Sequence, residues 1–373
     1  MKDLTEDQKK NTFKRDTLND MVRVIAMLLV IGVHWFGSMA EYCPQTGAAP
    51  VVMDFLDKLT SLGVPLFFAL SGYYILGKEI RDTKAFYYKR FLRVIVPYLI
   101  YAAIYVVYFT VFEEHRPAMI PKNYIVNVLT GNVHGTHWFV YSIIGLYFAT
   151  PFLSRMFRAL SDREVMMLYL VAVSFGLLDA IFGLFGYRFG INTYVFEGTL
   201  LSFMSGYCTQ RCMDAIDADR WKHTGLYRIL IITTLFITYC FTEWGILLTL
   251  TAGIAVAGNN RHVSDGKILA VTGFMSRYSY SVYLIHAAVV SAVLHIYTGW
   301  GGAHFGLKTV AGYIAVFLCS LAFVIVFDLL CTDRIIKTLS RGKPDGRKKN
   351  TPDLTRIGQT RKQTKNWIGK TDL

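Results

Sequence analysis

Residues 20–36 read DMVRVIAMLLVIGVHWF, an apolar run that carries an arginine and a histidine eleven residues apart. As a helix, eleven residues advance by about 1100°, three turns plus roughly 20°, so Arg23 and His34 lie on one face. The rise between them is about 16 Å, roughly half of a ~30 Å hydrocarbon core. If the helix enters a membrane near Arg23, His34 lies beyond the midplane. An ionisable side chain at that depth is costly and marks a candidate functional site. The alternative is a histidine hydrogen-bonded to a neighbouring helix.

The rest of the chain supports a membrane setting. Of 373 residues, 53% are hydrophobic and only 17% charged, against about a quarter charged in soluble domains. Apolar stretches of about 16 to 25 residues, the length that spans a bilayer as helix, fall at 22–40, 60–77, 94–112, 138–157, 165–185, 193–210, 226–242, 244–258, 274–297 and 308–331. The expectation is an all-α polytopic bundle of about ten transmembrane helices. Residues 1–20 read as a cytoplasmic lead-in, 21–335 as one membrane domain, and 336–373 as a basic, disordered cytoplasmic tail.

The net charge of +13 follows topology. With both termini inside and ten spans, all but five of the 39 Lys and Arg residues fall in cytoplasmic segments, the five being Lys58, Arg116, Lys122, Arg188 and Lys308. That asymmetry is the positive-inside rule, and it argues for a lipid partner over nucleic acid. Ser38-Met39-Ala40 after the apolar run imitates a signal-peptide cleavage site. Cleavage would remove His34 and upset the charge parity, so the run reads as an uncleaved first span. The six cysteines are scattered, Cys208 and Cys212 included, and indicate neither a disulfide framework nor a metal site. No repeat of fixed period is present, which disfavours a transporter.

Polar and helix-breaking residues within the spans supply the candidate site. Asp20 and Arg23, three apart, can pair at the inner boundary. In SLGVPLFFALSGYYILGK (61–78), Gly63, Pro65, Ser71 and Gly72 interrupt an aromatic stretch. Such residues either border a cavity or allow close helix packing. KAFYYKRFLRVIVPYLI (84–100) places Arg90 and Arg93 on one face, where two guanidinium groups can clamp phosphate or simply flank the span. GNVHGTHWFVYSIIGLYFATPF (131–152) puts His134, His137 and Trp138 at the outer start of a span. They read as surface histidines in an aromatic belt or as a sugar-stacking position. RYSYSVYLIHAAVV (277–290) carries a second buried histidine, His286, able to face His34 across the bundle, with Glu197 and Glu243 as possible carboxylates.

In this order, the segments resemble the acyltransferase-3 family of membrane acyltransferases. Asp20-x-x-Arg23 and the Arg23–His34 spacing resemble its first-helix signature, and GVPLFFALSGYYI its second-helix motif. Arg90-x-x-Arg93, His137-Trp138-Phe139 with Tyr147 and Pro151, and SYSVYLIH at 279–286 complete the series. Met21 stands where the family more often has glycine. The resemblance implies a bacterial plasma-membrane enzyme of the stand-alone form. It would transfer an acyl group, most often acetyl, from cytoplasmic acyl-CoA to a hydroxyl of a cell-envelope or exported polysaccharide or its lipid-linked precursor. It implies acetyl-CoA as co-substrate with no resident cofactor or metal. Arg90 and Arg93 would hold the coenzyme A phosphates. Arg23, with Asp20, would position the donor, and His34 would be catalytic as general base or transient acyl carrier. His137, Trp138, His286, Ser71 and Glu197 would line the acceptor side or cavity. A polysaccharide exporter without acyl transfer is the competing class.

Overall fold

The computed structural model describes residues 17–44, 46–190, 198–215, 245–257, 266–298 and 304–341, and every regular element among them is helical. In chain order the main helices are α1 (Thr17–Ala40), α2 (Ala49–Thr60), α3 (Gly63–Ile75), α4 (Thr83–Glu113), α5 (Ile120–Thr130), α6 (Trp138–Ala159), α7 (Asp162–Leu184), α8 (Thr199–Ala215), α9 (Gly245–Ala257), α10 (Gly266–Thr298) and α11 (Phe305–Phe327). Helix α4 contains wide π-helical turns at Phe91–Ile95 and Phe109–Glu113. The chain divides into two compact units, Met1–Ile336 and Lys337–Leu373, and the site described below belongs to the first.

Among the described residues, five helices are long and apolar enough to cross a membrane: Asn19–Ala40, Thr83–Glu113, Asp162–Leu184, Ala270–Tyr297 and Phe305–Ser340. They coincide with the first, third, fifth, ninth and tenth spans expected from sequence. The seventh expected span, 226–242, lies outside the described residues, as do residues 1–16 and 342–373. The second is a 13-residue helix, α3, which rises about 20 Å and falls short of a ~30 Å core.

The helices pack through small residues, as membrane bundles do where no hydrophobic drive separates helix from lipid. A Cβ on Gly72 of α3 would overlap the carbonyl oxygen of Phe203 on α8, so only hydrogen permits that crossing. At α1, the buried Trp35 indole donates to the carbonyl of Thr309 at 2.7 Å, and its ring occupies the space that a Cβ on Gly312 would need. The Tyr313 hydroxyl donates to the Leu28 carbonyl at 2.9 Å. These contacts fix α1 against α11.

Helix α10 flanks α1 in parallel. Arg23 meets Ser276, and His34 meets His286, so both helices advance together from one contact to the other. Helix α3 runs the opposite way, with Gly63 against Ala26 and Val30 and with Tyr74 beside Arg23. These directions agree with alternating spans, odd-numbered ones running alike.

Candidate functional site

One pole of the site lies at the Arg23 end of the α1–α10 pair. Asp20 is only 6% exposed, and a carboxylate there needs partners. It accepts from Arg23 Nη1 at 3.1 Å and from the Ser276 hydroxyl at 2.6 Å, while Arg23 Nη1 also donates to Ser276 Oγ at 2.9 Å. The closed triangle holds the Arg23 guanidinium at the wall of a cavity of about 900 Å³.

The cavity wall is strongly basic. It carries Arg23, Lys78, Arg81, Lys89, Arg90 and Arg93 against Asp20, Glu79 and Asp82. Arg23 is paired with Asp20 and Arg81 with Glu79 at 2.9 Å, whereas Asp82 caps the start of α4 by accepting the Ala85 N–H. Lys78, Lys89, Arg90 and Arg93 thus have no carboxylate partner among the described residues. Arg90 lies over two rings, 5.3 Å from the centroid of Phe86 and 4.7 Å from that of Tyr147, and its buried Nε–H has no acceptor among the described residues. The π turn that begins directly after Arg90 interrupts the α-helical ladder between it and Arg93, a distortion frequent at functional sites. Ser71 lines the same cavity, so the second span both packs closely at Gly72 and borders a cavity.

The second pole is aromatic and histidine-rich. His34 is half-buried, and its ring centroid lies 5.1 Å from that of His286, which is fully buried. His286 Nδ1 bonds to the Tyr283 carbonyl three residues back, and its Nε2 has no partner among the described residues. His34 is not among the residues lining the large cavity. Rings fill the distance: Phe67 in the cavity wall lies 6.0 Å from Phe139, Phe139 is 5.2 Å from Tyr283, and Tyr283 is 5.6 Å from His286.

The structure corrects one sequence expectation here. His137 is not a surface histidine: it is 0% exposed and bonds through Nε2 to the Leu284 carbonyl at 3.1 Å. The short 3₁₀ turn Gly135–His137 tucks it beneath the start of α6, between the rings of Tyr98 and Tyr105. His134 caps that turn by accepting the Thr136 N–H, and burial holds its imidazole below the ordinary histidine range. Trp138 is 48% exposed and touches Phe68. Glu197 and Glu243 lie outside the described residues. Among the described residues no group of three His, Cys, Asp or Glu side chains can hold a metal ion.

The structure therefore brings Asp20, Arg23, Ser71, Arg90 and Arg93 to one cavity, and His34 and His286 to one contact. Sequence reasoning missed Ser276, Tyr74 and the role of Tyr147. Ser276, Ser279, Tyr283 and His286 recur at spacings of three, four and three, so a polar stripe on α10 was present in the sequence. Tyr74 sits between two cations, its ring 5.9 Å from Arg23 and 5.6 Å from Lys78.

Long apolar helices, with a basic cavity at one end of a parallel pair and buried histidines at the other, define a multi-pass membrane protein with a site inside its bundle. The sequence profile of the acyltransferase domain matches residues 19–329, so the chain belongs to the acyltransferase-3 family and is a membrane acyltransferase. No curated protein and no solved structure matches the chain.

Proposed function

We propose that this protein is an O-acyltransferase of a bacterial plasma membrane that moves an acetyl group from cytoplasmic acetyl-CoA to a hydroxyl of a cell-envelope polysaccharide or its lipid-linked precursor. The observation that carries this reading is the basic cavity, where four cations lack carboxylate partners beside the Asp20–Arg23–Ser276 triangle. Its volume lies near the top of the ~300–1,000 Å³ range of small-molecule sites. A guanidinium fork binds phosphate bidentately, and a neighbouring ammonium adds a point charge.

In this scheme Arg90 and Arg93 hold the coenzyme A phosphates, and Arg23 guides the pantetheine arm along the α1–α10 seam. His34 acts at the far end as general base. A sugar hydroxyl is a weak nucleophile, so a neutral imidazole takes its proton as the oxygen attacks the thioester carbonyl. The carbon–sulfur bond breaks, the acyl group stays on the sugar oxygen, and the proton passes from His34 to the departing coenzyme A thiolate. Trp138, exposed beside the histidine pole, supports sugar stacking on the acceptor side.

The decisive experiment compares the mass of the surface glycan in wild-type cells and cells carrying His34→Ala. The expected result is loss of one acetyl mass per modified sugar, while a larger decrement identifies succinyl or another acyl group. An unchanged mass refutes the enzymatic role of His34. For an exporter without transfer activity, Arg90→Ala with Arg93→Ala would leave glycan export and mass intact.

A further inference from the structure

His286 is fully buried, and only half of its hydrogen-bonding capacity is used. Its Nδ1 faces the Tyr283 carbonyl. A carbonyl only accepts, so the proton is on Nδ1 and Nε2 presents a bare lone pair. A buried acceptor without a donor is uncommon in native proteins and calls for a partner that the resting contacts do not supply.

The neighbouring donors are committed elsewhere. Tyr283, whose ring lies 5.6 Å from that of His286, donates its hydroxyl to the Thr136 carbonyl. His137 directs Nε2 to Leu284, and the Tyr105 hydroxyl, which accepts the Ala288 N–H, makes no hydrogen bond to His286. The remaining ring against His286 is His34, with centroids 5.1 Å apart and planes inclined by 38°. Two imidazoles joined by one N–H···N bond have centroids about 5 Å apart, given ring radii of about 1.1 Å and an N···N distance of about 2.9 Å. Face-to-face stacking would bring the centroids closer. The separation is compatible with a hydrogen bond between the two rings, which their present inclination does not make.

We propose that His286 is a positioning residue for acyl transfer: its Nε2 accepts the ring N–H of His34 and fixes His34 in the tautomer whose other nitrogen presents a lone pair to the acceptor hydroxyl. The inference rests on His34 serving as the base of the proposed reaction. During transfer the sugar hydroxyl proton moves to the free nitrogen of His34, and the oxygen bonds to the thioester carbon. The N–H···Nε2 bond becomes charge-assisted while His34 is an imidazolium, which strengthens it as the transition state forms. The proton then leaves for the coenzyme A sulfur and the pair returns to its starting state. His286 neither gains nor loses a proton.

A neutral orienting group suits this setting. A carboxylate at the same place would be an ionised group inside the bundle, costly to bury without further partners. The parallel packing of α1 and α10 supplies the neutral alternative, because the Arg23–Ser276 contact and the His34–His286 contact belong to one register.

The test uses full-length protein in membrane vesicles supplied with labelled acetyl-CoA and their endogenous glycan. His286→Gln places an amide oxygen near the position of Nε2, whereas His286→Leu has similar bulk and no acceptor. The expected result for His286→Leu is a rate at saturating acetyl-CoA about 100-fold below wild type or lower, with the KM for acetyl-CoA within about threefold. His286→Gln recovers to within about tenfold of wild type. Equal losses in both variants would assign His286 to packing and overturn the proposal, as would a His286→Leu rate close to wild type.

A second readout does not depend on turnover. In protein labelled with nitrogen-15 at histidine, the His34 ring gives one tautomer in wild type and a mixture in His286→Leu. A mixture in wild type overturns the proposal. A wild-type protein that transfers no acetyl group while His34 shows one tautomer would instead refute the proposed reaction and leave the pairing intact.

Discussion

Replacing Arg90 with alanine tests the donor end of the site. The guanidinium is held over Phe86 and Tyr147, with ring centroids 5.3 and 4.7 Å away, and its Nε–H is buried without a partner among the described residues. A charge-assisted hydrogen bond to phosphate contributes about 1.5–3 kcal/mol, and each 1.4 kcal/mol is tenfold in affinity. Loss of one such contact therefore weakens coenzyme A binding by about 10- to 150-fold. The upper half of that range is expected, because the rings already immobilise the side chain. Little of the usual ordering cost of about 0.5–1.5 kcal/mol remains to be met on binding. Arg90→Lys keeps the charge but loses the planar fork and its stacking, so it should fall between wild type and alanine. Titration calorimetry of coenzyme A into the purified protein in nanodiscs measures both values. Raising the salt concentration should weaken wild-type binding more than Arg90→Ala binding. An unchanged dissociation constant in both variants would refute phosphate binding at Arg90.

Two further outcomes follow from the packing. Gly72→Ala forces a methyl group into the Phe203 carbonyl, so α3 and α8 must separate; the cost should reach or exceed the ~1–3 kcal/mol of an overpacked core, read as a lowered melting temperature of the purified protein. Phe67→Trp enlarges a ring that stands between the basic cavity and Phe139, and it should lower the transfer rate while leaving coenzyme A affinity within about threefold of wild type, a split that calorimetry and a turnover assay resolve.

The legible parts of the site were those in which one helix carries the whole signal. Arg23 and His34 share a face of α1 by arithmetic on 3.6 residues per turn, and Asp20 pairs with Arg23 as the three-residue spacing predicts. The long apolar helices were likewise visible as runs. What the sequence left open was always a relation between helices. Gly72 could have served a cavity or a crossing, and it took the zero-clearance crossing while its neighbour Ser71 took the cavity wall. His137 read either as a surface histidine or as part of a sugar-stacking position, because the glycines around it signal a loop. That loop closes into a turn that drives the ring inward onto the Leu284 carbonyl, a partner 147 residues away. Ser276 escaped notice because a serine in an apolar helix gains meaning only once α10 is known to lie parallel to α1.

The parallel register also accounts for the distance between the two poles. Arg23 and His34 are about 16 Å apart along the axis. From the phosphate oxygen to the acyl carbon, the pantetheine arm has about as many bonds as four to five residues of extended chain, a reach of about 15 Å. A phosphate bound in the cavity that Arg23 borders would thus allow a fully extended arm to bring the thioester close to the level of His34. Phe67 lines the cavity, the histidine pair does not, and a series of rings lies between them, so in the proposed reaction the arm would displace aromatic side chains to arrive. Apolar rings are well suited to such a barrier, since they exclude water while the donor is absent and offer an apolar wall to the thioester once it enters. Hydrolysis of acyl-CoA would otherwise compete at His34, because a base able to activate a sugar hydroxyl activates water equally well. In the proposed reaction, the rings that separate His34 from the basic cavity would favour transfer to a sugar over transfer to water.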